Sequence, residues 1–72
     1  MADTQAITIP IDLPRDEAWA FAQLLKRTSY EDCLSRSNRL KQYCDGRAEA
    51  DVMWSALRLI EDQFAEAGFA PR

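Results

Sequence analysis

The stretch near the C-terminus does most to limit the folds open to this chain. From Arg47 to about Ala67 the sequence reads as one amphipathic helix that stops at Gly68-Phe69-Ala70-Pro71. Ala50, Met53, Trp54, Leu57, Ile60 or Glu61, and Phe64 recur at the i, i+3, i+4, i+7 spacing of one helical face. Gly68 stands where a left-handed cap residue is wanted, and Phe69 can fold back on Phe64, the apolar contact of a Schellman stop. Pro71 keeps the helix from resuming. A second stripe, Val52, Ala56, Leu59 and Gln63, adjoins the first. Two adjoining apolar stripes exceed what a surface helix over a small core needs. Either this helix is central to the monomer or it is shared with another chain, and the sequence leaves both open.

A chain of 72 residues makes one domain, and a single core of that size contributes only about 3–5 kcal/mol. The apolar fraction of 47% is that of a globular protein, and two Trp, three Phe and two Tyr supply large buried areas. Chains this short usually add disulfides, a metal or a partner. Cys33 and Cys44, if placed on one helix, would stand about 16 Å apart along its axis, beyond disulfide reach. They also lack the paired spacing of a zinc site, and read as two small buried thiols in a reducing compartment. Self-association or a partner is therefore the expected stabiliser. There is no signal-peptide pattern and no apolar run near the roughly 20 residues of a membrane span, so a cytoplasmic location is expected.

Residues 1–5 read as a flexible terminus. Ile7, Ile9, Ile11 and Leu13 then alternate with Thr8, Pro10 and Asp12, the period of a half-buried strand. Pro10 cannot donate to a ladder, which marks an edge. A lone strand cannot satisfy its own backbone, so pairing with a second copy across a dimer axis is favoured over packing as an extended arm. Pro14, with Asp16 and Glu17 in the first turn, opens a first helix whose stripe is Ala18, Phe21, Ala22 and Leu25, widened by Trp19 and Leu24. Lys26 and Arg27 suit its last turn. Ser29 with Asp32 forms the start of a second helix, which carries Tyr30, Cys33, Leu34, Ser37, Leu40 or Lys41, and Cys44. Asp45-Gly46 ends it, and Asp45 can cap the third. The expected architecture is mainly α: a single domain over 1–72, with an N-terminal β-strand and three helices over about 14–27, 30–44 and 47–67, as a dimer. Ile7, Ile9, Ile11, Val52, Ala56 and Leu59 are the self-association candidates.

The residues also exclude most chemistry. No histidine is present, which removes the commonest general base and metal ligand and every histidine-based triad. Cys33 has Arg36 within a turn and Cys44 has Lys41, neighbours that any charged helix provides. Two glycines cannot build a phosphate-cradling loop. The adjacent carboxylates Asp16-Glu17, Glu31-Asp32 and Glu61-Asp62 diverge by about 100° on a helix, so none is a preformed acid/base pair, and no loop spacing supports a metal. The chain reads as non-enzymatic, without cofactor, metal or catalytic residues.

A strand followed by two helices is also the order of ribbon-helix-helix repressors, which insert paired strands into the major groove. Here the outward positions would be Thr4, Ala6, Thr8, Pro10 and Asp12, with few donors for base edges and an acid that repels phosphate. Net charge is −3 and unevenly spread. Lys26, Arg27, Arg36, Arg39, Lys41 and Arg47 against Glu31, Asp32 and Asp45 leave a basic middle between acidic ends. Specific nucleic-acid binding is not expected, and such a dimeric DNA-binding regulator stands as the alternative function.

Three segments carry a resemblance. Ala18-Trp19-Ala20-Phe21-Ala22-Gln23-Leu24-Leu25-Lys26-Arg27, then Ala48-Glu49-Ala50-Asp51-Val52-Met53, and the closing Ala65-Glu66-Ala67-Gly68-Phe69-Ala70-Pro71-Arg72 resemble a family of short uncharacterised proteins from proteobacterial prophages, plasmids and integrative elements. The resemblance covers residues 7–72 and is weakest from Arg36 to Gly46. It implies a small acidic protein of a mobile element that binds a host protein or nucleoprotein complex, including counter-defence inhibitors of the anti-CRISPR kind. An acidic surface can occupy a basic groove of such a target. Asp16, Glu17, Asp51, Glu61, Asp62 and Glu66 would be its contacts.

Overall fold

Three helices follow one another in a computed structural model that describes residues 6–43 and 46–71: α1 (Arg15–Arg27), α2 (Tyr30–Arg36) and α3 (Glu49–Glu66). α1 begins after Pro14, whose carbonyl accepts the first helical bond from the Ala18 N–H at 2.9 Å. Asp16 and Glu17 lie in its first turn and Lys26 and Arg27 in its last, as the helix dipole favours. The Ser29 hydroxyl accepts from the Asp32 N–H while the Asp32 carboxylate accepts from the Ser29 N–H at 2.8 Å, closing a reciprocal capping box on α2. α3 ends in the Schellman geometry. The Phe69 N–H donates to the Phe64 carbonyl at 2.8 Å and the Gly68 N–H to the Ala65 carbonyl at 3.0 Å. Gly68 adopts φ +99°, and the Phe64 and Phe69 ring centroids lie 6.4 Å apart.

The expected N-terminal β-strand is not formed. Residues 6–14 carry no regular secondary structure and join no ladder, and Ile7, Ile9 and Ile11 are 81%, 66% and 68% exposed. Alternation makes a segment able to pair, but a strand exists only beside a neighbour, and Pro10 further removes one of its donors. The second helix is also shorter than its expected span to residue 44. The hydroxyls of Ser35 and Ser37 donate back to the Asp32 and Leu34 carbonyls, and the Asn38 N–H leaves the helical ladder for the Glu49 carboxylate at 2.7 Å. Short polar side chains thus offer the backbone an alternative to another helical turn. Of Leu40 and Lys41, the two alternatives for the apolar face, neither is buried, and Leu40 is 92% exposed. The chain returns through an isolated antiparallel bridge between Gln42 and Ala48, with Gly46 at φ +85°. The third helix starts at Glu49 rather than Arg47, with Ala48 at the cap position and no side-chain cap. The flexible terminus expected over 1–5, together with Thr4, Cys44, the capping role of Asp45, and Arg72, lies outside the described residues.

α3 is the element against which both α1 and α2 pack. Of the five buried residues, Ala18, Ala22, Cys33 and Ala50 are small and let the backbones approach closely, while Leu25 is the one large aliphatic among them. Half-buried rings close the gaps: Trp19 on Phe69 at 4.9 Å, Phe21 on Phe64 at 5.3 Å and Tyr30 on Trp54 at 6.2 Å, all edge-to-face. Leu24, which the sequence placed at the margin of the α1 stripe, stays exposed. The molecule is open for its size. Its radius of gyration is 13.8 Å, where a compact chain of this length has about 11 Å. Its accessible surface is 6083 Å², where roughly 4,500 Å² is expected.

Candidate functional site

Successive residues of α3 turn by about 100°, which separates its two apolar stripes onto adjoining flanks. The inner flank, with Ala50, Met53, Trp54, Leu57 and Phe64, is buried or half-buried against α1 and α2. The outer flank is open beyond Val52. Val52 is half-buried, Ala56 and Gln63 are exposed, and Leu59 is 64% and Ile60 40% exposed. Their 4-3-4 spacing aligns Val52, Ala56, Leu59 and Gln63 in one straight seam, the pattern by which a helix receives another helix. The uncertain Ile60-or-Glu61 position of the inner face is taken by Glu61, whose carboxylate meets the Arg58 guanidinium at 3.2 Å.

The candidate acids divide between the two ends of the helix. The Arg15 guanidinium lies 5.7 Å above the Phe69 ring, which sets the start of α1 beside the end of α3. Asp16 and Glu17 are therefore carried to the same end as Glu61, Asp62 and Glu66, where the last turn of α3 holds no basic residue. Asp51 stands at the opposite end and is engaged: the Tyr30 hydroxyl donates to it at 2.6 Å. That bond, foremost, raises the Tyr30 pKa. Tyr43 is raised in the same way by donating to Glu49 at 3.1 Å. The Asp32 carboxyl is held below its usual range chiefly by the Ser29 backbone N–H, then by the Ser29 hydroxyl. These shifts belong to groups that cap and clamp the fold.

Two open hollows indent the surface. One, of about 410 Å³, lies where the three helices meet; Leu24, Cys33, Met53 and Leu57 form its apolar lining, with Arg27 and Arg36 also on its wall. The other, of about 250 Å³, lies at the end of α3 beside Glu61, Asp62, Phe64, Phe69 and Pro71. Cys33 is a free, buried thiol. Among the described residues no three His, Cys, Asp or Glu side chains converge to hold a metal ion, and no helix is long and apolar enough to cross a membrane. Sequence reasoning missed the Tyr30–Asp51 pair, the Glu49 clamp on Asn38 and Tyr43, and the three-helix hollow. Each joins side chains from separate elements, so no local pattern announces it.

The profile of a family of unknown function, DUF7706, matches residues 1–72. The chain belongs to DUF7706. This membership is the part of the resemblance that the comparison establishes; the match says nothing of a prophage, plasmid or proteobacterial source. No curated protein and no solved structure matches the DUF7706 chain.

Proposed function

We propose that this DUF7706 chain is a small, non-enzymatic protein-binding module of a mobile genetic element. It works in the cytoplasm as a homodimer and modulates or inhibits a host protein, in the manner of a counter-defence or anti-CRISPR protein. The observation that carries this reading is the uncovered outer seam of α3, an apolar ridge on a chain too small to leave such surface idle. The carboxylates Glu61, Asp62 and Glu66 lie on the same helix, with Asp16 and Glu17 of α1 toward the same end, and steer it toward a basic surface on the target. Asp51, tied to Tyr30, contributes charge rather than a free contact. The ribbon-helix-helix alternative would need residues 6–14 to pair with a second copy, and that segment offers few donors to base edges and carries Asp12, which repels phosphate.

The test is side-by-side capture from a lysate of the bacterium that encodes the chain, using the wild type and Leu59→Asp. The expected result is a protein retained by the wild type and depleted about tenfold or more by the variant, whose helical spectrum is unchanged. Equal retention by both, or no retained protein, overturns the reading.

A further inference from the structure

We propose that the hollow where the three helices meet receives the N-terminal arm, residues 6–14, of a second copy of this chain. The proposal rests on the self-association read above and says which surfaces carry it. The hollow is open to solvent, has a volume of about 410 Å³, and offers an apolar lining of Leu24, Cys33, Met53 and Leu57. The arm offers Ile7, Ile9, Ile11 and Leu13 at alternate positions, which an extended backbone sets along one side, and its three isoleucines are mostly exposed. Alternate side chains on such a backbone repeat every 6–7 Å or so, which lets two or three enter one groove in succession.

Charge agrees with this pairing. Arg27 and Arg36 lie on the wall of the hollow, against Asp32, which Arg36 already meets at 3.7 Å. The charged residue of the arm is Asp12. Pairing α3 with α3 would instead bring together two helices that each carry Glu49, Asp51, Glu61, Asp62 and Glu66 against Arg58. The surface available is sufficient. A standard interface takes about 800 Å² from each partner, and Ile7, Ile9, Ile11 and Leu24 are each more than half exposed.

Backbone restrictions favour another copy as the occupant. Ile9 and Leu13 each precede a proline and are held extended, and Pro14 continues at ψ 151°. No glycine interrupts residues 6–14. These restrictions disfavour a sharp reversal at the start of α1, whereas Leu24 to Thr28 on the hollow stand about 14–20 Å along that helix from Arg15 for a rise of about 1.5 Å per residue. Two exchanged arms form an isologous pair that closes at two chains. The outer seam of α3 stays open for the host protein.

Sedimentation equilibrium of the full chain tests this with Ile9→Asp, Leu24→Asp and Leu59→Asp, all at exposed positions, with circular dichroism confirming the helices. The expected result is a wild-type dimer whose dissociation constant rises about tenfold or more in Ile9→Asp and in Leu24→Asp. The double variant should be little worse than either single one, because both remove the same contact. Leu59→Asp should leave the dimer intact. A dimer indifferent to Ile9→Asp and Leu24→Asp, or broken only by Leu59→Asp, overturns arm docking and leaves self-association standing. A wild type that remains monomeric at millimolar concentration overturns both.

Discussion

Gly68 and Asp32 show how single residues set the ends of these helices. An added Cβ at Gly68 would meet nothing within 4 Å, so the cost of a substitution there comes from its φ of +99° and not from a clash. Gly68→Ala is expected to lose about 1–2 kcal/mol in urea unfolding, because the left-handed region penalises any side chain. Asp32 acts through its ionised form, which accepts from the Ser29 N–H and hydroxyl. Its folded-state pKa is lowered, so the stability it contributes is present above the ordinary carboxyl pKa of about 4 and is lost as pH falls below that value. Asp32→Asn should remove that share of stability at neutral pH and flatten the acid limb of the stability profile, followed by thermal melts from pH 7 down to 3. Ser29→Ala takes away the other half of the box and should cost about 1 kcal/mol.

At the scale of elements, the 37–48 connection depends on α3. The Glu49 carboxylate accepts from the Asn38 N–H and the Tyr43 hydroxyl, so the first turn of α3 holds the start and the middle of this connection. Glu49→Ala should speed hydrogen exchange at the Asn38 amide by about tenfold while leaving the amides of α1 protected. The same contact explains what the sequence could and could not disclose. The end of α3, the capping box and the charge order of α1 were legible because each signal lies within about four residues. The C-terminus of α2 was not, because the group that draws Asn38 out of the ladder is eleven positions away. The alternation of Ile7, Ile9 and Ile11 was real, yet strand formation needs a second backbone that periodicity does not supply. Of the candidate site, the surplus stripe Val52-Ala56-Leu59 was readable from spacing alone, and its outer part is exposed. The hollow was not readable, since Leu24, Cys33 and Met53 meet only once three helices are assembled.

Across the whole molecule, close approach rests on alanines. Ala22 and Ala50 are each only 2% exposed, and Ala22→Leu should cost about 1–3 kcal/mol by forcing the helices apart. The remaining cohesion comes from rings distributed between two ends. Trp19 stands edge-on to Phe69 after the last helix, whereas Trp54 stands against Tyr30 with the Arg58 guanidinium 5.6 Å above it. The two indoles thus act as separate optical gauges of a molecule without other fluorophores of comparable brightness. In single-indole versions, deleting residues 69–72 should red-shift the emission of Trp19 and leave that of Trp54 where it was. Loosening α2 through Tyr30→Ala should do the reverse, so a spectrometer alone can tell which end has come undone first.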